Sequence, residues 1–508
     1  MIRKLWDQGK SSKEEASRIT TNPEESFPSS RHLKWSLIFL LVYFGLRLLF
    51  FALTISPYVP PDEHTHFGVS RIFSSVFFLP QNSPETYEYG LVTNIPWLYY
   101  WIMGKLLALN FFGMPDLLFL RLLNIPFAYG TVYFVWRTLR LITDDRLSQI
   151  LLIVAMTNTI MFSFLSSFVS YDNLTNLFAA MAVYYLLAFF KSRSGNLLAL
   201  SFLCQMAGSL TKVSFLPLLL VLTILLVIHE FKNLRVLPSA LSAYFKTTDW
   251  RRWGLVLGVF FGLALNVQLY SGNYYYYGSL NPEMSEIVSP DISMQNRLAA
   301  RNMIFHQFKE GRISKEEAFA MASQIKHQGD RADTMYLINN YITLKYYHFE
   351  PLGPLYYIRF WVWQMSASIF GIGGHLQMFS SGPAIWPFTV LGIVIFLSIL
   401  IRWRPSHAEW IPTCLMAIFA FYGLFLLYYV NYPVYLDTWA IGESLRGRYL
   451  FPVLGASYAV SSYYLPQLFR SRHLRLGISA VVCIIFIASD FPFFLYHVTP
   501  EWFVPQLW

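Results

Sequence analysis

Titratable side chains are concentrated in one short stretch of the chain, Pro60-Pro61-Asp62-Glu63-His64-Thr65-His66. The stretch directly follows an apolar run at 35–56 that is long enough to cross a bilayer. Two carboxylates and two imidazoles are therefore expected at a membrane surface, behind a proline pair that restricts the local backbone. A carboxylate so placed can accept the proton of a hydroxyl nucleophile, which makes Asp62 and Glu63 candidate catalytic residues.

Two further polar clusters lie at the ends of apolar runs. One is Ser170-Tyr171-Asp172-Asn173, and the other is Glu443-Ser444-Leu445-Arg446-Gly447-Arg448-Tyr449, with Lys212 as a further contributor. Arginine can bind phosphate through two parallel hydrogen bonds and neutralise a phosphate leaving group as it departs. Carboxylates at one end of a membrane chamber and arginines at the other therefore match a hydroxyl acceptor and a phosphate donor. An apolar groove would accommodate a polyprenyl tail.

Each of these clusters also has a purely structural interpretation, and spacing does not decide between the two. Arg446 and Arg448 could be interfacial anchors whose charges extend to the lipid headgroups. Asp172 could cap the N-terminus of the next helix. The other structural interpretations are a solvated loop end for Asp62 and Glu63, a surface position rather than metal ligation for His64 and His66, and an interfacial anchor for Lys212.

Composition indicates the class of protein. Of 508 residues, 55% are hydrophobic and 13% are charged, and repeated uncharged runs of about 18 residues or more are typical of a polytopic membrane protein. The net charge of +9 is explained by basic cytoplasmic loops and does not require nucleic acid. Placing 95–112 at the interface keeps nearly every short basic loop cytoplasmic. About 11 spans follow, at 35–56, 117–141, 147–168, 176–190, 196–210, 215–228, 254–270, 387–401, 410–430, 449–468 and 478–495.

The predicted fold class is all-α, with interfacial helices in the first external loop. The predicted parts are a cytoplasmic polar tail at 1–34, an N-terminal transmembrane module at 35–272 that includes the first external loop at 57–116, an external helical segment at 273–383, and C-terminal transmembrane helices at 384–508. Helical periodicity near 293–309, 314–327 and 333–347 predicts a small external helical subdomain. The polar tail and the long first apolar run argue against a cleavable signal. Cys204, Cys414 and Cys483 lie in apolar runs and are not expected to form disulfides.

Three motifs resemble those of a known superfamily. Pro61-Asp62-Glu63-His64-Thr65-His66-Phe67-Gly68 resembles the first external loop of the GT-C glycosyltransferases and is similar to the Asp-Glu…His-Phe-Gly pattern of protein O-mannosyltransferases. Arg446-Gly447-Arg448-Tyr449-Leu450-Phe451-Pro452 resembles a segment of a bacterial GT-C-like membrane protein family, and Asp172-Asn173-Leu174-Thr175-Asn176 is similar to that family's second acidic motif. The resemblance covers about 35–470 and leaves 273–358 unmatched.

The resemblance implies roles for the matching residues. In such enzymes the aspartate of the first external loop is a general base or orients the acceptor, which corresponds to Asp62 with Glu63 beside it. A basic group binds the phosphate of a polyprenyl-phosphate sugar, which corresponds to Arg446 and Arg448. Some members bind a divalent cation, for which the candidate ligands of Mg²⁺ or Mn²⁺ here are Asp62, Glu63, Asp172 and His64. The large C-terminal insertion of the mannosyltransferases is not recognisable, so a glycan or lipid acceptor is expected rather than a protein.

The sequence therefore predicts a membrane glycosyltransferase that moves a sugar from a polyprenyl-phosphate donor to a hydroxyl of a glycan or lipid, in a single displacement with inversion. The predicted substrate-binding residues are Asp172, Lys212, Arg446, Arg448, Tyr449 and His66. Membrane lipids are expected partners, in a bacterial inner membrane with the site facing outward. The alternatives are a transporter or flippase for lipid-linked sugars and a structural subunit of an envelope complex. Many transporters are built from internal repeats, and the sequence shows no convincing repeat, which argues against the transporter.

Overall fold

A computed structural model describes residues 30–57, 59–231, 249–326, 328–374, 377–378, 385–406 and 409–504. Across these ranges the named elements are all helices, and β pairing is limited to one antiparallel bridge between Ile55 and Phe503. The predicted all-α fold class is confirmed. Most of the predicted cytoplasmic tail, residues 1–29, lies outside the described residues.

The helices of the N-terminal half include two that lie within the first external loop at 57–116. They are α1 (Ser30–Thr54), α2 (Glu63–Ser75), α3 (Leu98–Leu107), α4 (Asp116–Ile142), α5 (Arg146–Thr157), α6 (Ile160–Leu165), α7 (Tyr171–Ser192), α8 (Gly195–Thr211), α9 (Leu216–Glu230) and α10 (Trp250–Asn266). Side-chain caps explain two of the starting points, because Asp145 accepts a hydrogen bond from the Ser148 N–H at α5 and Ser170 accepts one from the Asp172 N–H at α7.

The second half contains the external helices and the remaining apolar ones. They are α11 (Gly272–Tyr277), α12 (Met284–Ile287), α13 (Pro290–Ser293), α14 (Arg297–Lys309), α15 (Lys315–Ser323), α16 (Gln328–Tyr346), α17 (Pro354–Phe370), α18 (Trp386–Arg402), α19 (Trp410–Phe425), α20 (Tyr432–Thr438), α21 (Phe451–Gln467), α22 (Arg472–Ala488) and α23 (Phe491–His497). One π-helical turn joins α10 to α11 and another joins α19 to α20, so each pair forms one long helix.

The chain is an integral membrane protein. Helices long and apolar enough to cross a membrane, within the described residues, are Arg31–Thr54, Asp116–Leu139, Tyr171–Ser192, Val213–Glu230, Trp250–Tyr277, Trp410–Thr438 and Arg472–His497. The other four predicted spans fall on α5 with α6, α8, α18 and α21, which are helices of 17 residues or fewer. A helix of 17 residues is about 25 Å long, somewhat shorter than the roughly 30 Å of a hydrocarbon core.

Helix α21 lies at the centre of the bundle. It packs against α4, α5, α7, α18 and α19, and the segment that precedes it, 446–450, reaches the start of α2. Two charges inside the bundle neutralise each other: Arg47 on α1 pairs with Asp490, and both side chains are buried. Arg47 also donates to the Thr157 carbonyl at 2.6 Å. Such pairing is expected for charges that are removed from water.

The external segment has an apolar core of its own. Its three periodic stretches correspond to α14, α15 and α16, whose buried residues include Ala300, Ile304, Phe305, Ala318 and Ile338. The predicted interfacial stretch at 95–112 contains α3, which is only 10 residues long and packs on α2. The boundaries of the four predicted parts stay predictions.

Candidate active site

Asp62 lies at the turn into α2 and is held by two arginines from distant parts of the chain. Its backbone is in the left-handed conformation (φ 59°, ψ 10°), which Asp adopts more readily than most residues. Oδ2 accepts a hydrogen bond from Arg448 Nη2 at 2.6 Å, and Oδ1 accepts one from Arg297 Nη2 at 2.8 Å. The Asp62 side chain is 28% exposed, so a substrate can reach the carboxylate.

The charges around Asp62 keep its carboxyl group ionised. Burial alone would raise the pKa of this group, but the guanidinium groups of Arg448 and Arg297 hold the pKa well below its usual range. An ionised carboxylate offers about four lone-pair positions, and the two arginines use one on each oxygen. The Asp62 carboxylate can therefore accept a further hydrogen bond from a hydroxyl at neutral pH.

Glu63 forms a buried ion pair. Its two oxygens accept hydrogen bonds from Arg121 Nε and Nη2 at 2.8 and 2.5 Å, and both side chains are almost fully buried. Arg121 on α4 also donates to the carbonyls of Ala52 and Ile55, while Glu63 accepts from the Val169 N–H. The pair ties α1, α2, α4 and the segment before α7 together. These contacts favour a positioning role for Glu63, and its predicted catalytic role stays a prediction.

Close packing positions Arg448. The preceding Gly447 lies against α17, where an added Cβ would be 2.5 Å from Ile369 Cγ1, and its N–H donates to Ser368 Oγ at 2.6 Å. Arg448 is buried, and its Nε and Nη1 have no hydrogen-bond partner among the described residues. Because buried, unsatisfied donors of a charged group are costly, these two nitrogens are candidate ligands for an anion.

Lys212 and Asp172 form the second charged pair of the site. Lys212 Nζ lies 2.5 Å from Asp172 Oδ1, and both side chains are buried. The ammonium group lies 4.5 Å from the ring centroid of Tyr171 and 5.0 Å from that of Tyr449. Burial would lower the pKa of Lys212, but the Asp172 carboxylate raises it above the ordinary value. Since Ser170 is the N-cap of α7, the interpretation of Asp172 as the cap is wrong.

Tyr449 connects the two charged pairs. The guanidinium carbon of Arg448 lies 5.5 Å from the centroid of the Tyr449 ring, and Lys212 lies over the same ring. The other predicted arginine, Arg446, is half-buried and donates to the Leu445 carbonyl at 3.4 Å. Arg448 is thus the predicted arginine that contacts Asp62 directly.

The two histidines of the first external loop have different surroundings. His66 is buried, with Nδ1 2.9 Å from the Tyr100 hydroxyl and its ring centroid 4.4 Å from that of Tyr171. Its Nε2 has no hydrogen-bond partner within the described ranges, and burial lowers the pKa of His66 to about 4. The ring is therefore neutral at neutral pH, and Nε2 can exchange a hydrogen bond with a substrate hydroxyl. His64 is exposed and lies beside the Tyr89 ring.

The predicted cation ligands do not converge. Within the part of the chain that the structure describes, no group of three or more His, Cys, Asp or Glu side chains could hold a metal ion. The carboxylates of Asp62, Glu63 and Asp172 are each paired with an arginine or a lysine instead. In this arrangement the residues do not fit a divalent cation, and the chemistry proposed below uses none.

Three residues of the site were missed by sequence reasoning. Arg121 lies inside the apolar run at 117–141, and a charge at such a position is a signal that could have identified it. Tyr100 belongs to the aromatic cluster Trp97-Leu98-Tyr99-Tyr100-Trp101, whose simplest interpretation from sequence is a membrane-interface belt. Arg297 lies in a polar helix with several other charges, and nothing in the sequence singles it out.

No protein-family model matches the chain, and no curated protein matches it. Solved structures that are similar to it include ArnT from Cupriavidus metallidurans in the apo state, at 14% identity and a TM-score of 0.35, covering 86% of this chain and 78% of that chain. A second is ArnT from the same organism bound to undecaprenyl phosphate, at 14% identity and a TM-score of 0.34, covering 85% and 78%. The function proposed below rests on the side chains of this chain.

Proposed function

We propose that the chain is a membrane glycosyltransferase that transfers a sugar from a polyprenyl-phosphate donor to a hydroxyl of a glycan or lipid on the non-cytoplasmic side. One observation carries the proposal. Arg448 donates to the ionised Asp62 through Nη2, while its buried Nε and Nη1 have no partner in the described chain. A group that accepts protons is thereby joined directly to a group that binds anions.

Phosphate is the anion that matches Arg448 best. A guanidinium group presents its N–H donors in one plane, so Nε and Nη1 of Arg448 can each donate to a phosphate oxygen while Nη2 stays on Asp62. Lys212 adds a buried positive charge across the Tyr449 ring. Lys212 directly precedes the apolar helix Val213–Glu230, which has exposed side chains such as Leu220, Ile224 and Val227. Arg448 lies three residues before Phe451, the first residue of α21. A phosphate attached to a polyprenyl chain could therefore bind here while its tail lies among lipids.

The proposed reaction is a single displacement at the anomeric carbon, with inversion. The acceptor hydroxyl attacks this carbon, its proton passes to an oxygen of Asp62, and the bond between the carbon and the phosphate oxygen breaks. The departing polyprenyl phosphate keeps the electron pair, and Arg448 with Lys212 neutralises its charge. Because its low pKa makes Asp62 a weak base, we expect late proton transfer, with much of the rate supplied by positioning.

The remaining residues have supporting roles in this proposal. The neutral Nε2 of His66 hydrogen-bonds a hydroxyl of the sugar. Asp172 orients Lys212 through their ion pair, and Tyr449 forms the wall between Lys212 and Arg448. Glu63 holds the first external loop in place through Arg121.

Sugar transfer in isolated membranes tests the proposal. Membranes containing wild type, Asp62→Asn, Arg448→Ala or Arg446→Ala at matched protein levels would be compared by their consumption of radiolabelled polyprenyl-phosphate sugar. We expect Asp62→Asn to lose transfer but keep donor binding, and Arg448→Ala to lose both. Arg446→Ala, at a half-buried neighbour, should have the smallest effect. A parallel reaction with a chelator tests the predicted cation.

Normal donor consumption by Asp62→Asn would contradict the proposal. The transporter or flippase for lipid-linked sugars would then be the better explanation of an anion site at the end of apolar helices. Movement of labelled lipid-linked sugar across vesicles that contain the purified protein would measure that activity. Transport that persists in Asp62→Asn but stops in Arg448→Ala would establish it.

A further inference from the structure

One side of the external helix α14 carries three basic residues that pair with acids near the site. Arg301 follows Arg297 by four residues and Lys309 follows Arg301 by eight, so the three side chains lie within about 120° of one another around the helix axis. The three pairs are Arg297 Nη2 with Asp62 Oδ1 at 2.8 Å, Arg301 Nη2 with Glu443 Oε1 at 3.1 Å, and Lys309 Nζ with Asp437 Oδ1 at 2.5 Å.

The acids in these pairs belong to the first external loop and to the stretch 437–443, which precedes Arg448 in the chain. Asp62 is the proposed base of the first external loop. Asp437 and Glu443 lie shortly before Arg448, the proposed phosphate ligand. Helix α14 therefore contacts both the proposed base and the stretch of chain that leads to Arg448.

Arg297 is itself fixed from two sides. Its Nη2 donates to Asp62, and its Nη1 lies 3.1 Å from Oδ1 of Asp330 on α16, a carboxylate that is buried. Asp62 is likewise held from two sides, by Arg297 at Oδ1 and by Arg448 at Oδ2. Arg297 therefore restrains the carboxylate independently of any phosphate that binds Arg448.

We propose that Arg297, which the external helix α14 supplies, is a positioning residue for Asp62. The inference rests on the function proposed above. Arg297 keeps the Asp62 carboxylate directed at the acceptor hydroxyl while the donor phosphate occupies Arg448. Arg297 acts through Asp62 and does not bind the donor itself.

Steady-state kinetics of purified wild type, Arg297→Gln, Arg297→Lys, Asp330→Asn and Arg301→Gln test this role, together with equilibrium binding of polyprenyl phosphate. Arg301→Gln is the matched control, because it breaks an ion pair of the same helix without a contact to Asp62. We expect Arg297→Gln to lower kcat by about 10- to 100-fold, the size of effect caused by small misplacements of a reacting group. The affinity for polyprenyl phosphate should stay unchanged, and Arg301→Gln should change kcat by less than about fivefold.

The two further variants sharpen the result. Asp330→Asn leaves the Asp62 contact in place but removes the charge that holds Arg297, so kcat should fall by an intermediate amount. Arg297→Lys keeps the positive charge and one hydrogen-bond donor. Its kcat should therefore lie between those of Arg297→Gln and wild type. Where Arg297→Gln does not yield folded protein, these two variants provide the same comparison against Arg301→Gln.

Two outcomes would overturn the inference. Equal losses in Arg297→Gln and Arg301→Gln would mean that α14 only docks, and a loss of polyprenyl phosphate binding in Arg297→Gln would mean that this residue binds the donor. Both differ from failure of the proposed function, which shows as normal transfer by Asp62→Asn whatever the Arg297 variants do.

Discussion

The Asp62 carboxylate and the Arg448 guanidinium lie 2.6 Å apart, although 386 positions separate them in the chain. The contact joins the first external loop to the segment that precedes α21. Because Nε and Nη1 of Arg448 lack partners in the described residues, the arginine can bind an anion without releasing Asp62. The proposed base, Asp62, and the site of the phosphate leaving group would then lie on two sides of the Arg448 side chain.

Arg448→Lys should weaken donor binding although it preserves the charge. Lysine carries a point charge and lacks the planar set of N–H donors, so it cannot hold Asp62 and a phosphate oxygen in the same fixed geometry. Loss of one hydrogen bond to a charged group costs about 1.5–3 kcal/mol, which corresponds to about 10- to 100-fold in affinity. Equilibrium binding of labelled polyprenyl phosphate measures the change, with Arg446→Lys as control. Wild-type affinity in Arg448→Lys would contradict the assigned role.

Glu63→Gln should destabilise the protein. The substitution removes the negative charge of the buried ion pair with Arg121, and breaking a buried ion pair costs about 3–5 kcal/mol. Thermal unfolding in detergent would show a lower Tm. Asp144→Asn is the control, since it removes the partner of Arg140 in an exposed pair and should cost at most about 1 kcal/mol. An unchanged Tm combined with lost transfer would instead support the predicted catalytic role of Glu63.

Lys212 and Asp172 can be separated by their effects on stability and on binding. Lys212→Met leaves the Asp172 carboxylate buried and unpaired, so the Tm should fall. Adding Asp172→Asn removes that charge and should restore most of the Tm. The affinity for the polyprenyl-phosphate donor should stay low in the double variant, because Lys212 no longer supplies a positive charge to the phosphate. Recovery of donor affinity together with the Tm would mean that the pair is only structural.

Gly447→Ala should abolish most transfer while the protein still folds. The new Cβ would lie 2.5 Å from Ile369 Cγ1 and 2.7 Å from the Met365 carbonyl oxygen, so the backbone beside Arg448 must shift. Gly442→Ala in the same loop is the control, because a Cβ there meets no atom within 4 Å. Transfer assays at matched protein levels compare the two, and equal activities would contradict the packing argument.

Neither Asp62 nor His66 should make the transfer rate depend on pH between about pH 5 and 8. The arginines keep the pKa of Asp62 below its ordinary range, so the carboxylate is ionised throughout, and burial lowers the pKa of His66 to about 4. The groups that face His66 are the acids Asp62 and Asp172 and the cations Arg448 and Lys212. The transfer rate of wild type could instead fall below about pH 6. If that fall were absent in His66→Asn, it would contradict a neutral imidazole.

The lowered pKa of His66 should also make the stability of the folded protein depend on pH. A histidine with a pKa near 4 in the folded state and about 6.5 when unfolded binds more protons in the unfolded state between these values. His66 should therefore lower the Tm as the pH falls from about 6.5 to 4. The carboxylate of Asp62 contributes stability above its ordinary pKa, so it does not add to this loss. His66→Asn should reduce the decline, and His64→Asn, at an exposed position, should not.

Much of the site could be predicted from local patterns. The dense polar stretch after the first apolar run identifies Asp62, and Arg448 follows from its place in the Arg-Gly-Arg-Tyr motif. The structure brings both together with Asp172 and Lys212. Which of two neighbouring residues faces the site could not be predicted: Glu63 pairs with Arg121, and His66 rather than His64 is buried. Adjacent residues have nearly the same sequence context, and only helix packing distinguishes their directions.

The sequence by itself determined that the chain is helical and membrane-embedded, and that its ionisable groups collect at the ends of apolar runs. These properties depend on hydrophobicity and periodicity over some 20 neighbouring residues, and both can be read from a linear chain. Only the tertiary structure decided that Arg297 of a polar external helix contacts Asp62, and that each candidate carboxylate has a cationic partner. Ion pairs across hundreds of positions depend on distances of a few ångströms between packed helices, and no local pattern encodes those distances.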